Sequence, residues 1–367
     1  MNTALKKTPL HDLHAQQGAR FTAFAGYEMP LQYRRGIMAE HLHTRSGAGL
    51  FDVSHMGQVR LSGRGIEQAM ERLVTGDISA LATYRQCYTL LTNTEGGIVD
   101  DLMLTRTPEH LFMVVNAACR ETDYAYLRQV LGPDYAVEML HDRALLALQG
   151  PRAADVLANL YPECKTMPFL SAAETSLDGV PAFINRCGYT GEDGFEISVP
   201  GSGAVPLAEA LLRHSEVEPA GLGARDSLRL EAGLCLHGQD IDAATTPAEA
   251  GLTRAIARKY RDGSAPARFP GAGKILEAPT GRLRRGFLVE GRVPVRAGAT
   301  ILDTEKQAVG RITSGGFGPS VGRPVAMGYV GRKYAETGTE LRVDIRGRTH
   351  TIHVAELPFI KHRYYRP

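Results

Sequence analysis

Apolar residues recur along this chain in two rhythms, one of period two and one of period 3.6, and the switches between them predict its elements. A strand at 59–61 precedes a helix in which Ile66, Ala69, Met70, Leu73 and Val74 fall at i, i+3, i+4, i+7 and i+8. Apolar runs at 87–92, 98–105 and 111–115 read as strands. Tyr124, Leu127, Val130 and Leu131 line one face of a second helix, which Gly132-Pro133 terminates. A strand at 135–140 then completes an approximate β-α-β-β-α-β unit. A similar order follows: a strand at 144–149, Pro151 at a helix start, and a buried stripe of Ala153, Val156, Leu157 and Leu160. Strands at 182–187 and 194–199 and a helix over 206–214 complete it, so periodicity alone predicts two α+β units in tandem.

The flanks differ. Residues 1–50 are mixed, with a compact loop at 24–30 and a short helix at 41–45. Residues 254–285 are rich in Arg, Lys, Gly, Pro and Ala and read as a linker or surface segment. Beyond them, short apolar runs at 286–289, 299–303, 307–313, 325–330 and 339–355, separated by Gly and Pro, predict a small all-β sandwich or barrel.

Candidate chemistry begins at a hairpin. Gly96-Gly97 reads as a tight turn, and Asp100 and Asp101 follow it early in the second strand. Alternation puts Asp100 with Ile98, Leu102 and Leu104, and Asp101 with Val99 and Met103, so the acids are not expected to act as a side-by-side pair. One acid must face a partly apolar surface, where an ionised carboxylate needs a partner or a ligand.

Composition narrows the classes. The 367 residues carry 42 basic and 40 acidic side chains, a net charge of +2, which argues against a nucleic-acid binder. Cysteines at 87, 119, 164, 187 and 235 form no CxxC pair, so reduced thiols are expected and no metal site. The N-terminus lacks an apolar signal region and no 18-residue apolar run occurs, so a cytoplasmic protein without a membrane partner is expected.

Other polar clusters divide into weak and informative ones. Asp52, Ser54 and His55 are too close along one strand to form a hydrolytic relay. Gly271-Ala272-Gly273-Lys274-Ile275 lacks the Ser or Thr of a phosphate loop, and the Gly221–Gly233 stretch is not a dinucleotide fingerprint. Asn116, after the strand at 111–115, can read a ligand edge or cap the next helix. Glu196 alternates away from Phe195, Ile197 and Val199, and the simplest expectation is a solvated face; a carboxylate there also suits two parallel N–H donors, as on a 2-amino-pyrimidinone ring.

Taken in order, Phe24-Ala25-Gly26-Tyr27-Glu28-Met29-Pro30, FDVSHMG at 51–57, GGIVDDL at 96–102, VVNAA at 114–118, QGP at 149–151, GYTGEDGFE at 188–196, GLGARDSLRLEAG at 221–233 and ITSGGFGPSVG at 312–322 resemble the aminomethyltransferase, or T-protein, family of the glycine cleavage system. Single motifs are weak; their collinearity over nearly the whole chain is specific. Departures are Tyr27 in place of a usual Trp, Thr253 to Ala257 where an aromatic is common, and the loop at 258–281.

The resemblance implies an α+β fold: two interwoven ferredoxin-like (split βαβ) domains plus a C-terminal small β barrel, three domains around a central folate channel. It divides the chain into 1–54 with 141–253, then 55–140, a linker at 254–282, and a barrel at 283–367. It implies an enzyme that moves an aminomethyl group from the lipoyl arm of the H protein to tetrahydrofolate, releasing ammonia and forming 5,10-methylenetetrahydrofolate. Asp101 matches the catalytic carboxylate beside the reactive folate nitrogens, and Glu196 the one holding the pterin edge. Arg225 matches a folate-site arginine able to pair with Glu196 or a substrate oxygen, while Met56, Tyr88, Asn116 and Tyr189 match the pocket wall. Two other readings stay open: a folate-dependent transferase of the same fold with another one-carbon donor, and a non-catalytic folate-binding protein.

Overall fold

Strand Leu111–Val115 shows why the apolar runs here are continuous rather than alternating. Leu111, Met113 and Val115 share one core with Val59, Leu61 and Leu104, whereas Phe112 and Val114 share another with Leu145, Ala147 and Phe183. Strand Arg143–Gln149 behaves likewise, sending Ala144, Leu146 and Leu148 to a core with Ile184, Ile197 and Val199, and Leu145 and Ala147 to the shared one. Two sheets therefore press inner faces together, and strands buried on both faces lose the period-two signal. Phe112 and Phe183 meet at that boundary with ring centroids 4.7 Å apart.

The computed structural model describes residues 4–277, 280–345 and 347–367. Residues 1–3 of the N-terminal segment, 278 and 279 of the expected linker, and 346 of the expected run at 339–355 lie outside the described residues.

The six-stranded sheet runs Ala172–Leu177, Val180–Asn185, Gly194–Pro200, Arg143–Gln149, Ala48–Asp52, Val217–Pro219, antiparallel except for its last, parallel pair. The five-stranded antiparallel sheet runs Gln86–Thr92, Ile98–Arg106, Leu111–Val115, Gly57–Ser62, Ala136–Met139. Ala48–Asp52 thus belongs to the first sheet, and the chain builds the whole second sheet before returning. Interweaving replaces the tandem order that periodicity predicts, because the period of a strand reports its faces and not its neighbours.

Several local expectations change. The segment at 24–30 is not a loop: strands Arg20–Phe24 and Tyr27–Gln32 form a hairpin whose turn residues Ala25 and Gly26 both have positive φ, 47° and 80°. The short helix at 41–45 extends over Ile37–Ser46. Strand Ala172–Leu177 goes undetected by pattern because its alternation is polar. The helix expected at 206–214 spans Gly201–Leu212, with Pro206 inside it. On helix Arg120–Leu131 the buried face is Arg120, Asp123, Leu127 and Leu131, and Val130 is exposed.

The segment expected as a linker contains helices Arg258–Arg261 and Ala272–Glu277 and an apolar cluster of Ile256, Tyr260, Phe269 and Ile275. Lys259 fastens it to the second unit through Glu71 at 3.2 Å and Asp77 at 2.7 Å. Beyond it the chain closes a six-stranded barrel in the order Arg282–Val289, Arg323–Gly331, Ala308–Gly318, Thr300–Leu302, Glu340–Ile345, Arg348–Ala355, the last strand pairing with the first. Among the described residues no helix is long and apolar enough to cross a membrane.

Helix Leu222–Glu231 ties the three parts together. Ala224 and Leu228 enter the inter-sheet core, and Leu230 packs on Val325 and Met327 of the barrel. Arg229, fully buried, binds Asp240 at 2.6 Å and Ser314 at 2.8 Å, while Glu231 accepts from His41, Arg45 and the Ser320 backbone N–H.

Candidate active site

The Gly-Gly hairpin is built by close backbone approach. Gly96 has φ +87°, and a Cβ on Gly97 would lie 1.8 Å from the Ala243 carbonyl oxygen. Asn93 Oδ1 accepts the N–H groups of Glu95 and Gly97, its Nδ2 donates to that same Ala243 carbonyl, and the Ile98 N–H donates to Asp242 and Thr245. The pairing register then shifts: Leu91 opposes Asp100 and Thr92 opposes Ile98, leaving Val99 as the extra residue of a bulge. Bulges re-aim neighbouring side chains. Asp100 is fully buried and Asp101 partly so.

The two acids face opposite ways, as alternation requires, yet one amide joins them. Asn116 Nδ2 donates to Asp100 Oδ1 and to Asp101 Oδ1, each at 2.8 Å, and the Asn116 N–H reaches Asp100 Oδ2 at 3.2 Å. A third side chain thus couples two acids that strand alternation separates. Asp101 Oδ2 also accepts the Tyr88 hydroxyl at 3.0 Å. Burial and the charge of Asp100 push the Asp101 carboxyl up to about 6, against these two hydrogen bonds. The result is a carboxylate mostly ionised at neutral pH and ready to take a proton.

Glu196 is not on a solvated face. Every residue of Gly194–Val199 is buried, because the second sheet covers the side that a lone antiparallel sheet would leave to water. The only hydrogen bond to the Glu196 carboxylate among the described residues comes from the Cys187 thiol at 3.5 Å; burial raises its pKa, opposed by the charge of Arg225. Arg225 does not pair with it directly. Its guanidinium stacks over the Tyr189 ring at 4.8 Å, its Nη2 lies 4.0 Å from Met56 Sδ, and its buried Nη1 has no partner. Tyr189, whose hydroxyl donates to the Cys235 carbonyl, lies within the electrostatic reach of both Arg225 and Asp101. Met56, Tyr88, Asn116, Tyr189, Glu196 and Arg225 thus connect to Asp101 through one series of neighbours.

Three further groups were not anticipated as members of this site. Gln86 is buried with both amide atoms unpartnered, and Cys187 supplies the thiol on Glu196. His55 is buried, its Nδ1 unpartnered, and burial with the charges of Arg225 and Arg120 lowers its pKa to about 4, so its imidazole is neutral. Gln86 had a readable signal, a polar residue opening an apolar strand, and His55 stood out in the Asp52, Ser54 and His55 cluster, where only a hydrolytic relay was weighed; Cys187 had none. A cavity of 490 Å³ lies elsewhere, between Ala250, Arg284, Arg285, Glu336 and Leu357. We assign the candidate site on its unpartnered polar groups, which are the stronger sign of a ligand.

A buried carboxylate and a buried guanidinium short of partners, beside a tuned acid, define a site for a flat polar ligand and proton transfer. The comparisons specify the class. Residues 10–260 match the GCVT N-terminal domain and residues 282–361 the glycine cleavage T-protein C-terminal barrel domain. The mitochondrial aminomethyltransferase of Homo sapiens is 46% identical over 98% of this chain and 91% of its own length, and that of Solanum tuberosum 44% over 99% and 92%. The crystal structure of the glycine cleavage system aminomethyltransferase T from Bartonella henselae superposes with a TM-score of 0.94 at 45% identity, covering 99% of this chain and 100% of that one. The chain belongs to the aminomethyltransferase (T-protein) family of the glycine cleavage system.

Proposed function

We propose that this protein moves an aminomethyl group from the lipoyl arm of a carrier, the H protein, to tetrahydrofolate, releasing ammonia and forming 5,10-methylenetetrahydrofolate. The observation that carries the reading is the Asp101 carboxylate, held by Tyr88 and Asn116 and tuned to about 6. Tetrahydrofolate supplies the accepting amine and a flat, hydrogen-bonding pterin head. Asp101 orients that amine, accepts its proton and offsets the positive charge that develops as ammonia leaves. Glu196 offers two oxygens to parallel N–H donors, and Arg225 Nη1 offers a free donor to a ring oxygen. The unpartnered Gln86 amide has room in its chemistry for either. Cytoplasmic residence is part of the proposal, supported by five free cysteines, while the eukaryotic relatives are named as mitochondrial.

The test is transfer itself. Wild-type protein with aminomethyl-loaded H protein and tetrahydrofolate should yield methylenetetrahydrofolate and ammonia in equal amounts. Asp101→Asn should bind tetrahydrofolate normally and lose turnover by about 100-fold or more. An unchanged rate in that variant would remove Asp101 from the chemistry, and no product with the wild type would reject the donor.

A further inference from the structure

Behind the candidate site, a second cluster adjoins Asp101 through the Asn116 amide. Asp100 of strand Ile98–Arg106, Cys119 at the start of helix Arg120–Leu131, and His237 in the loop after helix Leu222–Glu231 bring one potential ligand atom each within 4.8 Å of one another. Cys119 Sγ lies 3.3 Å from His237 Nδ1. A tetrahedral ion with bonds of about 2.3 Å to sulfur and 2.0 Å to nitrogen sets those two atoms about 3.5 Å apart, so the pair needs only a small adjustment. Asp123, one helical turn beyond Cys119 and 1% exposed, lies within electrostatic reach of Asp100, and its Oδ2 has no partner.

Two independent features separate this cluster from ordinary packing. The first is charge. Asp100, Asp101 and Asp123 are mutually close, and among the described residues no Lys or Arg forms an ion pair with any of them. Buried carboxyls so arranged call for protons or a cation. The second is donor type. A thiol, an imidazole and carboxylates suit a borderline ion such as Zn²⁺ and do not suit Mg²⁺ or Ca²⁺, which select oxygen alone. Sequence spacing could not show this, since 118 positions separate Cys119 from His237.

We propose that Asp100, Cys119 and His237 bind one Zn²⁺ or similar borderline divalent ion, with Asp123 placed for the fourth position, and that the bound ion inhibits transfer. The thiol proton leaves to solvent as the Zn–S bond forms, and no oxidant or reductant is required. Inhibition follows from Asn116, whose amide holds Asp100 and Asp101 together: an ion that draws the Asp100 carboxylate toward Cys119 loosens the clamp on the acid next to it. This second part rests on the function proposed above; the binding part does not.

The experiment is a titration of the full-length, chelator-stripped protein with Co²⁺, without folate or carrier, followed by competition with Zn²⁺. A thiolate-to-cobalt charge-transfer band saturating at one equivalent, displaced by Zn²⁺, is expected. Cys119→Ser should abolish the band, and His237→Gln should weaken binding at least about tenfold, both with unchanged melting in the metal-free state. No such band in the wild type, or one that survives Cys119→Ser, overturns the site. In the transfer assay Zn²⁺ should inhibit the wild type and spare Cys119→Ser. Saturating Zn²⁺ without inhibition overturns the regulatory part alone, and absence of any transfer points instead at the proposed function.

Discussion

Replacing Glu196 with Gln separates what this carboxylate does for a ligand from what it does for the fold. The side chain is 6% exposed and has one weak donor, the Cys187 thiol at 3.5 Å, with Arg225 nearby but not in contact. A hydrogen bond to a charged group contributes about 1.5–3 kcal/mol, so converting one of two acceptors into a donor costs about 2 kcal/mol, roughly 30-fold in Kd. The same change removes a poorly satisfied buried charge and should stabilise the ligand-free protein by about 1 kcal/mol, roughly one degree in Tm for a chain of this size. A carboxyl whose folded pKa is raised destabilises the fold as pH climbs past its ordinary value of 4.5, so the gain should be present at neutral pH and vanish in more acidic buffer. Calorimetric titration with tetrahydrofolate reads the first effect, and melting of the ligand-free variant reads the second. An unchanged Kd would refute the reasoning that Glu196 faces a ligand; a lower Tm at neutral pH would show that the fold depends on its charge.

Other consequences can be measured directly. Tyr88→Phe removes a hydrogen bond that lowers the Asp101 carboxyl, so in metal-free buffer the acid limb of the pH–kcat profile should move upward from about 6; a limb that stays or falls contradicts the arrangement. Glu231, held at about 2 by hydrogen bonds from His41 and Ser320 and by the charges of His41 and Arg45, contributes stability that is complete above 4.5 and is lost as pH falls toward 2. Glu231→Gln should cost about 3 kcal/mol in denaturant unfolding at neutral pH and flatten that acid loss; a variant as stable as the wild type would show that the contacts of Glu231 with His41, Arg45 and Ser320 do not hold the fold. Gly97→Ala places a methyl 1.8 Å from the Ala243 carbonyl, so it should destabilise by about 2 kcal/mol or more and reduce turnover as the hairpin shifts; melting and kcat unaffected together would show that the hairpin can move without consequence.

Much of the local architecture is written in the order of side chains. Arg120–Leu131 and the barrel strands are legible because a one-sided apolar stripe or a short run between glycines has few other solutions. The Gly96-Gly97 turn and the separate faces of Asp100 and Asp101 follow from backbone sterics and strand alternation, which are local. Family motifs named the candidate residues.

Tertiary structure decided the rest. Interweaving of the two sheets depends on Ala48–Asp52 pairing with a strand nearly a hundred positions away, and nothing local encodes a partner. Glu196 reads as a surface residue until Phe112 and Val114 of the five-stranded sheet close a second layer over its strand, and only then does its charge become costly. The coupling of Asp100 to Asp101 waits on Asn116 from a neighbouring strand, and the approach of Cys119 to His237 waits on the loop after Leu222–Glu231. Periodicity reports which face a side chain takes, whereas electrostatics and hydrogen bonding depend on what distant segment covers that face.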